Sequence, residues 1–327
     1  MHVKQILTST KRVVNSPQSL FSIEPPVEIA NAGVSYAWTD INVSAYVPVG
    51  ATGVILHVDR GATGAVRDYG IRMNGNADTR DGNAGAGLSH GWAIVGIDAN
   101  RIFEFYNVGP LSRCALDLIG YTTAGVDFTP SIANAPEISP AAGAWNTVNL
   151  GPGGLGLIPA NAIGVIIEVY DFTPNDTFGL RQNGSTDNRI TASLGNHMSF
   201  SYVIGVDAGQ IIELYRGTTG IRFYLHAYIT SGATFYLNGV DVTPIALGWQ
   251  DLPALPVEAT MGFYELSSLG GQRYGLRSPG SAFNDYLGVT LHNSGFMRCD
   301  PTTRIVQARL ENLADSIHLI GHANVSL

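Results

Sequence analysis

The stretch that decides the fold is residues 69–80, YGIRMNGNADTR, because it occurs three times along the chain. It returns at residues 178–189 as FGLRQNGSTDNR and, in a weaker form, at residues 274–285 as YGLRSPGSAFND. Each copy sits in a unit of roughly 100 residues, which is the length of a domain rather than of a solenoid repeat. The sequence therefore predicts three tandem domains, each with its own core.

The segments around these copies have the composition of short β-strands. They are rich in β-branched and aromatic residues, turn residues bound them, and no window long enough for a helix shows a helical period. Residues 93–98 and 202–207 are nearly continuous apolar runs, as expected for strands inside a two-layer sandwich. The predicted fold is all-β, with three tandem antiparallel β-sandwich domains of jelly-roll or immunoglobulin-like build.

The register of the repeat sets the predicted domain borders. Residues 1–35 do not match the repeat and are predicted to form an extended N-terminal arm, with an ordinary first strand plus loop as the alternative. The sandwiches are predicted at residues 36–130, 144–243 and 244–327, and the third is divergent. The Pro-rich residues 131–143 are expected to form an extended and stiff linker between the first two domains.

The chain carries little charge. Charged residues make up 13% of its 327 residues, about half the ordinary share of roughly 25%. Because a free soluble surface normally carries more charge, this composition favours a surface in contact with other protein. A β-protein with a Ser/Thr/Asn surface is the alternative. The net charge of −8 and the scattered placement of the 18 Lys and Arg residues argue against nucleic acid as a partner.

Neither a membrane nor a disulfide is indicated. No apolar run approaches the roughly 20 residues of a membrane span, and the first residues lack the apolar core of a signal peptide. Cys114 and Cys299 occupy non-equivalent places in the first and third units, which favours two reduced, buried thiols. Synthesis in a reducing cytosol is therefore expected.

Arginine and aspartate recur together in the repeated stretch. This pattern favours a structural charge pair that pins the loop, with a carbohydrate- or carboxylate-binding patch as the alternative. The recurring residues are Arg72 with Asp78 in the first copy and Arg181 with Asp187 in the second. The third copy keeps Arg277 but has Phe283 in place of the aspartate, so Arg277 is predicted to face a partner or Asp285.

Two further recurring positions are candidates for contact with a ligand or partner. They hold Arg80 and Arg189 at the end of the repeated stretch, and Glu104 and Glu213 in a later strand. A lone carboxylate in a strand could act as an acid, but a hydrogen bond to a turn or to the neighbouring arginine fits equally well. Because no second carboxylate stands at a fixed spacing, glycoside hydrolysis has no support.

No cofactor or metal motif is found in the sequence. The loop from Asn74 mimics a calcium-binding loop, but Gly85 stands where such a loop needs a glutamate. His90 and His292 match across units, and His197 lies two residues off register, so no metal-ligand pair is formed. Nucleophile elbows and phosphate-binding loops are also missing. The chain is therefore predicted to be non-enzymatic, with no cofactor and no metal.

A tryptophan opens each unit. Trp38, Trp145 and Trp249 could serve as sugar-stacking platforms, but a plug in the core or at a domain junction is the simpler interpretation.

These motifs resemble a repeated β-domain of the virion structural proteins of tailed bacteriophages. The resemblance rests on the opening tryptophans, on the Pro-x-Gly/Asn-Ala-x-Gly-Val strands at residues 48–54 and 159–165, and on residues 179–187. The Gly-x-Asp turn at residues 205–207 and the strand around Glu213 add to it. It covers the first two units well and the third in part.

The resemblance implies a capsid-decoration, head-fibre or tail-surface module that often assembles as a homo-oligomer, commonly a trimer. Its partners would be other virion proteins of the capsid or tail, reached through the arm at residues 1–35. The expected location is the virion, after synthesis in the host bacterial cytoplasm. The alternative function is an adhesin module that binds a host-surface carbohydrate and contributes to host attachment.

Overall fold

The computed structural model describes residues 18–32, 35–60, 68–80, 82–83, 89–107, 114–129, 135–173, 176–192, 199–268, 273–282 and 292–324. All regular structure in these residues is β, in 23 strands, which confirms the predicted all-β class. The search for a helix that could cross a membrane found none among these residues. Cys114 and Cys299 are free and buried, as predicted.

The first repeat forms two four-stranded antiparallel sheets. Its strands are β1 (Leu20–Ala32), β2 (Ser35–Asn42), β3 (Gly53–Arg60), β4 (Asp68–Met73), β5 (Gly82–Asn83), β6 (Ser89–Gly96), β7 (Ile102–Asn107) and β8 (Cys114–Thr122). One sheet has the order β1-β8-β3-β6, and we call it the inner sheet because it faces the centre where the repeats meet. The other, the outer sheet, has the order β2-β7-β4-β5. Side chains of both sheets share one buried cluster, so the two sheets pack as a sandwich.

The second repeat copies this plan. Its strands are β9 (Val126–Phe128), β10 (Trp145–Asn149), β11 (Gly164–Asp171), β12 (Thr177–Gln182), β13 (Thr191–Ala192), β14 (Ser199–Gly205), β15 (Ile211–Arg216) and β16 (Ile221–Ile229). The inner sheet has the order β9-β16-β11-β14 and the outer sheet the order β10-β15-β12-β13.

The third repeat has one strand fewer in its outer sheet, within the described residues. Its strands are β17 (Ala233–Asp241), β18 (Gly248–Asp251), β19 (Ala259–Ser267), β20 (Tyr274–Arg277), β21 (His292–Arg298), β22 (Gln307–Leu310) and β23 (Ser316–Asn324). The inner sheet has the order β17-β23-β19-β21 and the outer sheet the order β18-β22-β20.

A capped turn joins the inner to the outer sheet in every repeat. The Asp98 carboxylate accepts the backbone N–H groups of Asn100 and Ile102, at 2.9 Å each. Asp207 binds Gly209 and Ile211 in the same way. The turn ends on a residue with positive φ, at 63° for Arg101, 58° for Gln210 and 60° for Arg304. The side-chain cap fixes a backbone that non-glycine residues rarely adopt.

The predicted N-terminal arm is in part a strand of the first inner sheet. β1 pairs with β8 along its length, and Leu20 is fully buried. The described part of residues 1–35 therefore matches the alternative, an ordinary first strand, and residues 1–17 lie outside the described residues. A free arm would leave the edge of β8 unpaired, whereas β1 satisfies its backbone groups.

Edge strands also cross the predicted domain borders. β9 lies within residues 36–130 but pairs with β16 of the second repeat, and β17 lies within residues 144–243 but pairs with β23 of the third. In both places a three-residue turn leads the chain from one inner sheet directly into the next. The described part of the linker, residues 135–143, lies against the second repeat, where Glu137 bridges to Tyr224.

The three repeats contact one another in a closed cycle. We call each contact a seam. The first seam joins the first and second repeats, the second seam joins the second and third, and the third seam joins the third and first. The same position of the outer sheet meets the next inner sheet each time: the Tyr69 hydroxyl donates to the Ser199 carbonyl at 2.6 Å, Phe178 stacks on His292, and Tyr274 lies against His90. Since the third contact returns to the first repeat, the repeats form a ring.

The inner sheets share a buried cluster at the centre of this ring. Ile55, Ile166 and Phe263 occupy equivalent places on β3, β11 and β19, and all are fully buried. This cluster is continuous with the core of the third repeat, while the first two repeats keep separate sandwich cores. The prediction of one independent core per unit is therefore wrong for the third repeat.

Truncation of a central side chain should destabilise the whole molecule. We expect Ile166→Ala to lower the free energy of unfolding by about 2–5 kcal/mol, because it leaves a cavity where the sheets meet. Ile245, which is 95% exposed, provides the control, and Ile245→Ala should change stability by less than about 0.5 kcal/mol. Equal effects in urea unfolding would contradict a shared core.

Candidate functional site

The recurring arginine of the repeated stretch binds a glutamate on the neighbouring strand. The Arg72 Nε lies 2.7 Å from the Glu104 carboxylate, and its Nη1 donates to the Asp78 backbone carbonyl at 2.6 Å. The prediction that the Asp78 carboxylate pairs with Arg72 is wrong. The reason is the strand register, because Arg72 and Glu104 stand directly opposite each other on β4 and β7.

The second and third repeats keep this arrangement. Arg181 binds the Glu213 carboxylate and the Asp187 backbone carbonyl, so the predicted Arg181–Asp187 carboxylate pair is also wrong. Arg277 donates to the Gln307 side-chain oxygen at 2.8 Å rather than reaching out to a partner. Asp285, its other predicted contact, lies outside the described residues. Glu104 and Glu213 thus take the role of binding the neighbouring arginine.

The opening tryptophans lie on the outer sheets. The guanidinium carbons of Arg72, Arg181 and Arg277 lie 4.0, 4.2 and 4.1 Å from the ring centroids of Trp38, Trp145 and Trp249, respectively. Each ring is half-buried, so these residues are neither core plugs nor junction plugs.

A glycine makes room for the tryptophan ring in the first two repeats. A Cβ at Gly70 would lie 2.4 Å from Trp38, and one at Gly179 would lie 2.7 Å from Trp145. Trp38 also lies against Tyr106, with centroids 5.4 Å apart. With an arginine and a tyrosine against it, the ring stabilises the outer sheet and has little surface left for a stacked sugar.

Arg80 crosses the seam between the first and second repeats. Its Nη2 lies 2.9 Å from the Glu168 carboxylate, its guanidinium carbon lies 3.6 Å from the Tyr224 ring centroid, and it pairs with Asp78 in its own repeat. The His226 Nε2 lies 2.8 Å from the same Glu168 carboxylate. Burial alone would raise the pKa of Glu168, but Arg80 and His226 lower it to about 2.

Arg189 crosses the next seam in the same way. Its Nε lies 2.7 Å from the Glu265 carboxylate, and its Nη1 lies 2.6 Å from Asp187. The His292 Nε2 contacts Glu265 at 2.7 Å. Burial opposes the ionised form of Glu265, but His292 and Arg189 hold its pKa below the ordinary value. The predicted ligand contacts Arg80 and Arg189 therefore bind the next repeat of the same chain.

The third seam has different chemistry at the same place. His57 stands where the other repeats have Glu168 and Glu265, and its Nε2 lies 2.9 Å from the Nδ1 of His90. Its Nδ1 lies 3.5 Å from Asp117. Burial, followed by the proximity of His57, lowers the pKa of His90 well below its usual value. Burial in the seam thus disfavours the charged form of His90.

The seam residues Glu168, Glu265 and His57 are not among the functional residues that the sequence patterns predict. A signal was available, since the position of Arg80 and Arg189 changes to Asp285 in the third repeat while the glutamate changes to histidine in the first. Linked changes of charge at two positions indicate contact between them. No cluster of His, Cys, Asp and Glu suited to a metal ion is formed by the residues that the structure describes.

No protein-family model matches the sequence, and no curated protein matches it either. The site therefore rests on its own geometry. The recurring charged and aromatic side chains bind neighbouring strands or neighbouring repeats, and together they fix the three repeats in one arrangement.

Acid should weaken the first two seams. A carboxylate with a folded pKa below its unfolded value stabilises the fold above the unfolded pKa, and this contribution disappears as the pH falls through the folded pKa. For Glu168 the window runs from about 4.5 down to about 2. We expect Glu168→Gln to be less stable than the parent at pH 7, by at most roughly 3 kcal/mol, with the difference shrinking across this window.

Urea unfolding at pH 7, 4 and 2.5 measures this difference. Glu137→Gln is the control, because the Glu137 side chain is 41% exposed in its ion pair with Arg222, and such pairs contribute little. A stability gap that stays constant over the three pH values would contradict the role of Glu168 in the seam.

Proposed function

We propose that this protein is a non-enzymatic structural component of a bacteriophage virion, attached to the capsid or tail through protein contacts. The observation that carries the proposal is that the recurring polar groups bind one another within the chain. Arg80, Arg189 and their carboxylate partners bind inside the ring, which makes the chain a rigid body whose outside is available for packing. The resemblance of the repeated motifs to virion proteins supplies the class of particle.

The threefold repetition supports a role in a symmetric assembly. Three tandem sandwich repeats in a ring give one chain the arrangement that related modules are expected to reach as trimers. Equivalent turns before β3 and β19 present exposed apolar side chains at one end of the ring, with Val49 87% and Val257 75% exposed. Exposed apolar positions of this kind suit contact with another protein.

The N-terminal residues remain the proposed means of attachment, but over a shorter range than the sequence predicts. The Ser19 hydroxyl contacts the Ser231 carbonyl at 2.5 Å, so the described chain begins beside the turn between the second and third repeats. Since β1 belongs to the first inner sheet, we assign attachment to residues 1–17. Whether the ring further assembles as a homo-oligomer stays a prediction.

Two truncations separate attachment from folding. Removal of residues 1–17 should leave the described ring folded and prevent incorporation into particles. Removal of residues 1–30 also deletes most of β1, exposes the edge of β8, and should lower the melting temperature by several degrees or more. Particles are purified from cells carrying each truncation and are probed for this chain; normal incorporation without residues 1–17 would contradict the proposal.

A further inference from the structure

Two of the three seams are filled by a phenylalanine from an edge strand. Phe128 of β9 covers Gly53 and Gly96 of the first inner sheet, where a Cβ would lie 2.4 and 2.9 Å from its ring. Phe235 of β17 covers Gly164 and Gly205 of the second inner sheet in the same manner. The glycines are required because the ring lies directly against the backbone.

The seam between the third and first repeats is built from other residues. Strand pairing puts Ser22 at the place of the phenylalanine, and Met261 and Arg298 at the places of the two glycines. The Met261 side chain reaches the first inner sheet, with its Cε 3.4 Å from an ideal Cβ at Gly120. Methionine thus replaces part of the missing ring from the opposite side of the seam.

A cavity of about 200 Å³ lies at this seam, beside Arg298. It is lined by Glu24 of β1 and by Ser278, Ser281, Arg298 and Asp300 of the third repeat. At the first seam the equivalent place is lined by Met73, Asn76, Gly96 and Phe128, and the cavity there measures about 40 Å³. The larger space is therefore a property of the third seam and not of the fold.

The polar groups of this cavity are only partly used. The Ser278 hydroxyl lies 3.1 Å from the Glu24 carboxylate and 3.0 Å from the Arg298 backbone carbonyl. The Asp300 Oδ1 accepts the backbone N–H groups of Thr303 and Thr302, at 2.6 and 2.9 Å, and the Thr303 hydroxyl at 2.9 Å. Among the described residues, the Arg298 guanidinium has no hydrogen-bond partner and no carboxylate within ion-pair distance, but its charge acts on the nearby Asp300 carboxylate.

We propose that this cavity, which we call the seam pocket, binds a sugar that carries a carboxylate, such as a hexuronic acid. Arg298 binds the carboxylate through its planar fork of donors, a geometry that guanidinium and carboxylate share. Glu24 accepts hydrogen bonds from the ring hydroxyls, and the serine hydroxyls donate to or accept from them.

Size and wall chemistry favour one acidic sugar unit over other small ligands. The seam pocket is smaller than the roughly 300–1,000 Å³ of sites for drug-sized molecules. A ligand with polar groups around a ring matches a lining that offers one guanidinium, two carboxylates and serine hydroxyls. An apolar ligand would leave these groups without partners, which is costly in a partly enclosed site. The inference does not depend on the proposed role in a virion.

The test measures binding of D-glucuronate and D-glucose to the full-length protein by calorimetry and ligand-observed NMR. We expect glucuronate to bind at least about tenfold more tightly, because glucose leaves Arg298 unpaired. A hyaluronan tetrasaccharide with a terminal glucuronic acid is the third probe. Binding of this probe identifies the end of a glycan as the source, and binding of the free acid alone identifies a small metabolite.

Two variants place the binding in the seam pocket. Arg298→Gln should reduce glucuronate affinity about tenfold and leave glucose unchanged, whereas Arg273→Gln, which alters an exposed arginine outside the seam pocket, should have no effect. Ser281→Phe fills the seam pocket and should abolish binding of both sugars. Melting temperatures confirm that each variant is folded. Equal affinity for the two sugars, no binding of glucuronate, or unchanged binding in folded Arg298→Gln would each overturn the proposal.

Discussion

The structure depends on apolar packing between three inner sheets around one centre. Ile55, Ile166 and Phe263 are fully buried there, and the adjoining edge strands β6, β14 and β21 bind one another through side-chain hydrogen bonds. A sandwich sheet needs to bury only one face, but these sheets bury both, since every residue of β11 is buried. Burial of the second face stabilises the packing of each repeat against its neighbours, so the ring behaves as one body.

Polar chemistry then decides how the repeats are ordered around that centre. The first two seams use an arginine against a buried glutamate and a phenylalanine against two glycines. The third seam uses paired histidines and a methionine with an arginine. Because buried charges are costly without their own partners, a repeat placed at the wrong seam would leave Glu168 or Glu265 unpaired. The different residues of the third seam are therefore part of how the ring closes. The seam pocket lies at this seam.

The strands and their repetition could be predicted from the sequence, because alternation, turn residues and the recurring Gly-x-Arg motif are local signals. The partner of an edge strand could not, since Val126–Phe128 has the same pattern whichever inner sheet it joins. Spacing predicts that Arg72 pairs with Asp78, but strand register, which spacing does not reveal, brings Glu104 opposite Arg72. The continuous apolar runs predict strands inside a two-layer sandwich. They also indicate burial on both faces of a sheet, and in the structure the second face packs against the other repeats.

Differential scanning calorimetry of the full-length protein tests most directly whether the three repeats form one cooperative body. The shared centre and the closed cycle of seams predict a single transition in which the calorimetric and van't Hoff enthalpies agree. Two or three resolved transitions, each with the enthalpy of a domain of about 100 residues, would contradict the account and would describe three sandwiches that fold independently along one chain.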